Sequence, residues 1–272
     1  MMTEKNRAFL KWAGGKYKLT EQINARLPAD AKRLIEPFVG AGSVFLNSDY
    51  EEYILNDINP DLIEMYKIIK CKPKQFIQDA KHYFQDKFNN EKVYYQLRAE
   101  FNESEDVYLR SLLFLYMNRH GYNGLCRYNK SGGFNVPFGR YKKPYFPEAE
   151  LLLFAEKAKK AKFTCLPYQK LFLYLRDSDV LYCDPPYVPL SKSASFTSYA
   201  TQGFTLDDQA LLAKLARESK APVLLSNHDT TLTQELYREA NCDKIFVSRT
   251  ISSKSSDRKP VAELFAFFPA KK

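Results

Sequence analysis

The sharpest chemical signal in this 272-residue sequence is the tetrad Asp184-Pro185-Pro186-Tyr187, which directly follows the apolar run 179–183. Two consecutive prolines lack backbone N–H groups and stiffen the turn, so the Asp184 carboxylate and the Pro185 carbonyl become fixed hydrogen-bond acceptors. A planar amine can donate to both acceptors, and the Tyr187 ring would then lie over the ring that carries this amine. A lone Asp-Pro pair usually marks a strand that ends in a capped turn, so a functional interpretation of the tetrad depends on the other motifs in the sequence.

A second motif follows the first predicted strand, where residues 36–43 read Glu-Pro-Phe-Val-Gly-Ala-Gly-Ser, and the next predicted strand ends at Asn56 and Asp57. Glycines at a strand-to-helix turn let a ligand approach the backbone, and an acid at the next strand end can accept hydrogen bonds from ribose hydroxyls. The pattern predicts a nucleoside cofactor. NAD is disfavoured because the third glycine of the dinucleotide fingerprint is missing, and Asp57 taken alone could equally cap a helix.

A basic segment lies between Asp106 and Glu148, where the sequence has no acidic residue. Aromatic and asparagine residues are interleaved with its cations. This mixture suits nucleic-acid contact, because cations bind phosphates, Arg and Asn read base edges, and aromatic faces stack on unstacked bases. The alternative interpretation is a solvated basic loop. The seven cations of the segment are Arg110, Arg119, Arg127, Lys130, Arg140, Lys142 and Lys143.

The overall composition favours a polyanionic partner and excludes several other classes of protein. Lys and Arg number 41 against 32 Asp and Glu, which leaves a formal net charge of +9. Five scattered cysteines and three histidines argue against a disulfide framework and a zinc site, so we expect no metal. No apolar run reaches the roughly 18 residues of a membrane span, and no signal peptide is visible, which predicts a cytoplasmic protein without a membrane partner.

Short apolar runs alternate with segments of helical periodicity along much of the sequence. This alternation predicts an α/β protein with βαβ units and a mostly parallel sheet that helices cover on both faces. The strands are predicted at 33–37, 53–56, 162–165, 179–183, 222–226, 244–247 and 262–268. Helices are predicted between several of them, at 60–69, 206–219 and 232–240.

The alternation breaks in the middle of the chain. Residues 73 to about 115 carry apolar residues at helical intervals, and 118–145 has hairpin turn signals at Asn123-Gly124 and Ser131-Gly132-Gly133. We therefore predict that 73–147 is an inserted recognition domain, and that 1–72 together with 148–272 forms the catalytic domain. The Ser- and Thr-rich stretch 187–205 is predicted to be a long, mobile loop.

The order of these features, cofactor turn, basic insertion and tetrad, resembles that of the amino-directed DNA methyltransferases that use S-adenosylmethionine. The resemblance is closest to the Dam family, which methylates adenine in GATC, and it covers essentially the whole chain. It also rests on the stretches 9–16 (FLKWAGGK), 118–129 (NRHGYNGLCRYN) and 134–141 (FNVPFGRY). The resemblance implies a Rossmann-like methyltransferase sheet with helices on both faces and a helical and β-hairpin recognition insertion.

The resemblance also implies a role for individual residues. The tetrad residues Asp184, Pro185, Pro186 and Tyr187 would be catalytic. The cofactor would contact Trp12, Lys16, Phe38, Gly40, Gly42, Asp57 and Asp184. Base pairs would be read by Lys11, Leu125, Arg127 and Pro137, the gap of an extruded base would be filled by Tyr122 and Asn123, and phosphates would be held by Arg98 and Arg140. One departure is visible at 165–168, where many related methyltransferases carry an acid or amide beside the cofactor's adenine and this chain carries none.

The function that the resemblance implies is methyl transfer from S-adenosylmethionine to the N6 amine of an adenine flipped out of double-stranded DNA. The protein is expected to be a monomer without an obligate protein partner, in a prokaryotic or phage setting near the nucleoid. Two other functions stay open on the sequence. One is a catalytically silent DNA-binding regulator with the same fold, and the other is the same chemistry on RNA or on cytosine N4. The sequence also leaves open whether the enzyme acts alone or beside a restriction nuclease.

Overall fold

The computed structural model of the chain describes residues 5–188, 203–248 and 260–271. It contains one seven-stranded sheet. The strands are β1 (Arg33–Glu36), β2 (Glu52–Asn56), β3 (Ala161–Thr164), β4 (Asp179–Cys183), β5 (Val223–His228), β6 (Asn241–Ser248) and β7 (Pro260–Phe268), in the spatial order β3-β2-β1-β4-β5-β7-β6. All seven predicted strands are present, and the protein has the α/β architecture of a Rossmann-like methyltransferase fold.

Strand direction changes within the sheet. β4 pairs in parallel with β1 and with β5, whereas β7 is antiparallel to both β5 and β6. The chain leaves β1 toward one side of the sheet, to β2, and later continues from β4 to β5 on the other side. Such a reversal of strand order is where open α/β sheets bind their ligands, at the carboxyl ends of the strands.

Nine α-helices lie in the described part of the chain. They are α1 (Thr20–Asn24), α2 (Ser43–Asn47), α3 (Pro60–Cys71), α4 (Pro73–His82), α5 (Glu91–Glu103), α6 (Val107–His120), α7 (Glu148–Ala158), α8 (Leu206–Arg217) and α9 (Thr231–Leu236). The three helices predicted between strands are α3, α8 and α9, and the predicted helical stretch 73–115 forms α4, α5 and α6. None of these helices is long and apolar enough to cross a membrane.

Local signals explain where these elements begin. The side chain of Asn59 accepts the N–H groups of Asp61 and Leu62, and Pro60 supplies a suitable first helical residue, so α3 starts there. α8 starts with a capping box between Thr205 and Asp208. β1 ends at Glu36 because the next residue, Pro37, has no N–H group for the sheet.

The chain contacts divide the molecule into two compact units. The first contains Met1–Ile23, Val39–Asp49 and Leu55–Cys165, and the second contains Asn24–Phe38, Tyr50–Ile54 and Leu166–Lys272. The first unit buries an aromatic cluster of Phe9, Phe45, Tyr66, Phe154 and Phe163. The whole predicted insertion, 73–147, belongs to this first unit, and its independence as a recognition domain stays a prediction.

The predicted hairpin of the insertion takes a looser form than paired strands. The described segment contains two isolated bridges, between Gly121 and Phe138 and between Tyr128 and Phe134. Backbone bonds from Asn129 N–H to the Gly133 carbonyl at 2.8 Å and from Asn135 N–H to the Arg127 carbonyl at 3.0 Å cross the hairpin. Within its turn, Asn129 Oδ1 also accepts the N–H groups of Ser131 and Gly133. The predicted turn at Asn123-Gly124 is present, with φ values of 53° and 62°. The predicted mobile loop falls largely on 189–202, outside the described residues.

Candidate active site

The tetrad lies at the carboxyl end of β4, between the parallel strands β1 and β5. The hydroxyl of Ser226, on β5, donates a hydrogen bond to Asp184 Oδ1 at 2.8 Å. The hydroxyl of Tyr182 lies 3.0 Å from Ser226 Oγ, and since Ser226 uses its proton on Asp184, Tyr182 is the donor to Ser226. Burial raises the pKa of Tyr182 well above its usual value, which keeps that donor protonated. This relay fixes the orientation of the Asp184 carboxylate.

The Tyr187 ring is held by a hydrogen bond at its hydroxyl and by contact with a neighbouring ring. Its hydroxyl donates to Glu263 Oε2 at 3.0 Å, and its ring meets His228 edge-on, with 4.8 Å between the ring centroids. His228 and Glu263 face each other across the β5–β7 ladder. Burial raises the pKa of the Tyr187 hydroxyl, so it remains a hydrogen-bond donor at neutral pH. The sheet therefore sets the plane of this ring.

Buried amides fix the backbone of the tetrad. The Pro186 carbonyl accepts a hydrogen bond from Gln209 Nε2 at 2.7 Å, and the Val188 N–H donates to Asn227 Oδ1 at 2.9 Å. Asn227 also donates to Gln209 Oε1 and to the Tyr237 hydroxyl, each at 3.0 Å. Asn227 and Gln209 are fully buried. Such a satisfied polar network is rigid, because breaking one bond would leave a buried polar group unpaired.

The motifs in the sequence did not predict the residues that support the tetrad, such as Ser226, Asn227 and Glu263. A signal for part of them was present, since the apolar run of β5 ends in the polar triplet Ser226-Asn227-His228 at the edge where ligands bind. Glu263 carried a weaker signal, as an acid inside the apolar run of β7.

Phe38 lies at the same sheet edge as Asp184, because β1 and β4 are parallel neighbours and each of these residues follows the end of its strand. Its half-buried ring packs against Tyr168 and Phe204, with centroid distances of 5.3 and 5.6 Å. These three rings form an aromatic wall within the second unit.

The glycine turn belongs to the first unit. Gly40 and Gly42 have φ values of 48° and 72°, a region that side chains disfavour. A Cβ atom on Gly40 would lie 2.8 Å from Trp12 Nε1, so the indole ring packs directly on this turn. The Tyr66 hydroxyl donates to the Gly40 carbonyl at 2.6 Å. Lys16, four positions after Trp12, is buried, and its Nζ donates to the Gly14 carbonyl at 2.7 Å.

Asp57 anchors the glycine turn. Its Oδ2 accepts the Gly40 N–H at 3.1 Å and its Oδ1 accepts the Asn59 N–H at 3.0 Å. Burial raises the pKa of this carboxyl, and the backbone donors oppose that rise. The N-cap of α3 is Asn59, so Asp57 is not the helix cap. Each carboxylate oxygen can accept a second hydrogen bond, so the turn, the Trp12 ring and Asp57 fit a nucleoside with free hydroxyls.

Two predicted base-reading residues are held by neighbours in residues 118–145, called the recognition segment from here on. The exposed guanidinium of Arg127 donates from Nε to Asn135 Oδ1 at 2.7 Å and from Nη2 to the Asn135 carbonyl at 3.1 Å. Lys11 is half-buried, and its Nζ lies 3.8 Å from the centroid of the Tyr141 ring. Burial, with a smaller effect of Arg119, lowers the pKa of Lys11.

The remaining predicted base contacts surround the same segment. Tyr122 is 51% exposed, and its N–H donates to the Pro137 carbonyl at 2.8 Å. The Asn123 N–H donates to the Tyr141 hydroxyl at 3.0 Å. Pro137 is exposed and Leu125 is half-buried. The exposed Tyr122 ring is thus available to another molecule.

The two arginines predicted to hold phosphates differ in their surroundings. Arg140 is exposed and is 3.6 Å from Glu91, in a weak surface ion pair. Arg98 is half-buried, and its Nη1 donates to the Val136 carbonyl at 3.1 Å while its guanidinium covers the Tyr95 ring.

The basic segment needs one correction. Arg110 and Arg119 lie on α6 and are directed into the protein, where Arg110 pairs with Asp61 at 2.7 Å and Arg119 donates to the Tyr145 carbonyl at 2.9 Å. Sequence spacing could not distinguish them from surface cations. The exposed cations of the segment are Arg127, Lys130, Arg140, Lys142 and Lys143.

No group of three or more potential metal-ligating side chains occurs among the described residues. All five cysteines are free.

Comparisons with known proteins agree with this geometry. The profile of the D12 class N6 adenine-specific DNA methyltransferases matches residues 12–251. The chain is 58% identical over 269 residues to a DNA adenine methylase of Vibrio cholerae serotype O1, covering 97% of each chain. It is 55% identical over 278 residues to the DNA adenine methylase of Escherichia coli K12, covering 99% of this chain and 100% of the other. The chain therefore belongs to the D12 class of N6 adenine-specific DNA methyltransferases.

Proposed function

We propose that the protein transfers a methyl group from S-adenosylmethionine to the N6 amine of adenine in double-stranded GATC sites, after flipping that adenine out of the helix. Adenine-N6 methylation of DNA follows from the family. The observation that supports the mechanism is the Asp184 carboxylate, which Ser226 orients at the carboxyl end of β4.

The proposed role of Asp184 and Pro185 is to make the target amine more nucleophilic. The lone pair of an exocyclic amine is delocalised into the base, so this nitrogen attacks poorly. Hydrogen bonds from the amine to the Asp184 carboxylate and the Pro185 carbonyl favour a pyramidal nitrogen and offset the positive charge that develops on it. Because the relay from Tyr182 through Ser226 orients the carboxylate beforehand, little reorganisation is needed during the reaction.

Tyr187 is proposed to stack on the flipped base. Extruding a base costs a few kcal/mol of unstacking, and an aromatic surface at the destination offsets part of that cost. The bond to Glu263 and the contact with His228 hold the ring ready for this role.

The residues proposed to contact the cofactor are those that the resemblance implies, namely Trp12, Lys16, Phe38, Gly40, Gly42, Asp57 and Asp184. When bound, S-adenosylmethionine would supply a methyl group on a sulfonium sulfur. Transfer of that methyl group to the amine would form the N–C bond as the S–C bond breaks, leaving a neutral thioether, and the amine would lose one proton. Asp57 would accept the ribose hydroxyls with the acceptor capacity that its backbone hydrogen bonds leave. Holding both reactants converts a bimolecular encounter into a positioned one.

The DNA is proposed to bind the recognition segment. Arg127, Lys11, Leu125 and Pro137 would read base pairs, Tyr122 and Asn123 would fill the gap of the flipped base, and Arg140 with Arg98 would hold phosphates. The bacterial relatives, named DNA adenine methylases, support DNA as the substrate. We further propose a monomer that acts without an obligate protein partner in the cytoplasm, at the nucleoid.

One assay tests the function. The protein is incubated with methyl-labelled cofactor and with GATC-containing or scrambled duplexes, and the labelled nucleoside is identified. N6-methyladenine at GATC is expected. Unlabelled DNA despite GATC binding would indicate a silent regulator, and label in cytosine or in RNA would change the substrate.

The catalytic residue is tested with Asp184→Asn. Loss of the negative charge and of one acceptor oxygen is expected to lower kcat by about 10² to 10³ while duplex binding survives. The matched control is Asp229→Asn, which alters another half-buried carboxylate, just beyond the end of β5. Near wild-type turnover of Asp184→Asn would refute the assigned role.

Base reading is tested with two arginine variants. Arg127→Ala is expected to weaken binding by roughly 1 to 3 kcal/mol and to relax discrimination at one base pair, whereas Arg140→Ala is expected to weaken binding to all sequences alike. An Arg127→Ala protein that keeps wild-type ratios between GATC and unrelated duplexes would contradict the proposal.

A further inference from the structure

A half-buried triad of side chains, Asp61, Arg110 and Tyr128, lies next to the recognition segment, within the first unit. Asp61, in the first turn of α3, is 9% exposed. Its Oδ1 accepts hydrogen bonds from Arg110 Nε at 2.9 Å and Nη2 at 2.7 Å, and its Oδ2 accepts the Tyr128 hydroxyl at 2.6 Å. A largely shielded carboxylate with both oxygens engaged tolerates little displacement of its partners.

Arg110 is itself fixed by contacts outside this triad. Its Nη1 donates to the carbonyls of Phe101, at 2.6 Å, and Ser104, at 3.1 Å. Its guanidinium also lies 4.1 Å from the centroid of the Phe101 ring. The arginine therefore joins α6, on which it lies, to the end of α5 and to α3. Tyr128 is the member of the triad that belongs to the recognition segment.

The chain on both sides of Arg127 is attached to the start of α3. Tyr128 bonds to Asp61, and Cys126 Sγ accepts a hydrogen bond from Asn59 Nδ2 at 3.4 Å. Cys126 and Tyr128 are half-buried, whereas Arg127 between them is exposed. The two flanking residues thus anchor the backbone that presents the Arg127 guanidinium.

We propose that Asp61, Arg110 and Tyr128 are positioning residues that set base discrimination by fixing the backbone from which Arg127 projects, an inference that rests on the base-reading role proposed for Arg127. Reading a base edge requires two hydrogen bonds in a fixed geometry, whereas a phosphate accepts a cation over a wider range of positions. A looser backbone at 126–128 should therefore reduce discrimination more than overall affinity.

The primary test is Tyr128→Phe. This substitution removes the hydroxyl and retains the ring, which meets Phe134 edge-on at 5.6 Å between centroids. The measurement is kcat/KM on a GATC duplex divided by kcat/KM on duplexes with one base pair changed. This ratio is expected to fall roughly tenfold to 150-fold at the pair that Arg127 reads, on the scale of a lost hydrogen bond to a charged group. Affinity for unrelated duplexes is expected to stay within about twofold.

The chain offers a matched control in Tyr108→Phe. The Tyr108 hydroxyl donates to Asp79 Oδ2 at 2.6 Å, the same length as the Tyr128 bond, but it joins α6 to α4. A general loss of stability would affect both variants, whereas a positioning role affects the discrimination ratio of Tyr128→Phe alone. Equal ratios for these two variants would overturn the proposal.

A double-mutant cycle tests whether the triad acts as a unit. Asp61→Asn and Tyr128→Phe are measured singly and together, and the combined variant is expected to lose little more discrimination than the stronger single variant. Losses that multiply would overturn the proposal, because they would show that the two residues act independently.

Arg127→Ala distinguishes failure of this inference from failure of the proposed function. If Arg127→Ala relaxes discrimination while Tyr128→Phe keeps the wild-type ratio, the positioning role is wrong and the base-reading role stands. If Arg127→Ala itself keeps the wild-type ratio, both are wrong.

Discussion

Asp184 and Asp57 each follow the end of a strand, but different groups hold their carboxylates. Asp184 accepts the side-chain hydroxyl of Ser226, whereas Asp57 accepts the backbone N–H groups of Gly40 and Asn59. A substitution at Asp57 is therefore expected to disturb the turn that it anchors as well as any ligand, while one at Asp184 is expected to act mainly on the proposed chemistry. The same residue type at the same kind of position thus has two different physical roles.

The glycine turn supports a first prediction at the residue scale. Gly40→Ala places a methyl group 2.8 Å from Trp12 Nε1 in a left-handed backbone conformation, so cofactor affinity is expected to fall at least tenfold. The control is Gly132→Ala, whose φ is also positive but whose added Cβ would contact nothing within 4 Å. Both variants should lose about 1 to 2 kcal/mol from backbone strain. Calorimetry of cofactor binding measures the difference, and equal affinities would contradict the steric role of Trp12.

His120 supports a prediction about pH. Burial lowers the pKa of this imidazole to about 4 from 6.5, with smaller contributions from Lys11 and Arg119. Between these two values the unfolded chain binds a proton that the folded chain does not, so stability is full above pH 6.5 and is lost as pH falls toward 4. The expected loss is about 3 kcal/mol.

The measurement is the free energy of unfolding in urea between pH 4 and 7 for the wild type and His120→Phe. The variant should lack this part of the pH dependence, while His82→Phe, at an exposed histidine, should retain it. A His120→Phe curve parallel to that of the wild type would show that His120 does not cause the dependence.

At the scale of elements, the neighbouring strands β1 and β4 begin with a buried ion pair. Arg33 and Asp179 are directly opposed in the parallel register, and two hydrogen bonds of 2.8 and 2.6 Å join their side chains. The pair lies at the start of strands that end at Glu36 and Cys183, just before Phe38 and Asp184. A slip in register at this end would displace the site at the other end.

Breaking this pair should be costly. Arg33→Met leaves the fully buried Asp179 carboxylate without its cation and should destabilise the protein by about 3 to 5 kcal/mol. Adding Asp179→Leu should recover part of the loss, although the Arg176 N–H then loses its acceptor. Unfolding in urea checks both variants. If the double variant is no more stable than Arg33→Met, the uncompensated charge is not the cause.

At the scale of the whole molecule, the positions of the cations decide which of them can contact a polyanionic partner. The net charge of +9 indicated a polyanionic partner, but Arg110 and Arg119 are used inside the protein. The exposed Lys142 and Lys143 of the recognition segment are better candidates for phosphate contact than these two arginines.

Lys142→Ala/Lys143→Ala should therefore weaken duplex binding and reduce the slope of log K against log salt by about 2, if each lysine neutralises one phosphate. The control, Lys162→Ala/Lys220→Ala, removes the same charge from exposed sites outside the recognition segment. Titrations at several salt concentrations give both slopes. Equal slopes in the two proteins would mean that net charge alone drives binding.

The sequence by itself determined the seven strands, most helices and the two motifs, because buried strands and strand-end turns are marked by residues close together in the chain. Tertiary structure alone decided the antiparallel placement of β6 and β7, the inward course of Arg110 and Arg119, and the partners of the tetrad. Ser226 and Glu263 lie 42 and 76 positions beyond Asp184 and Tyr187, which they contact. Such contacts form only when non-local strands pair, and no local pattern of residues encodes which strands those are.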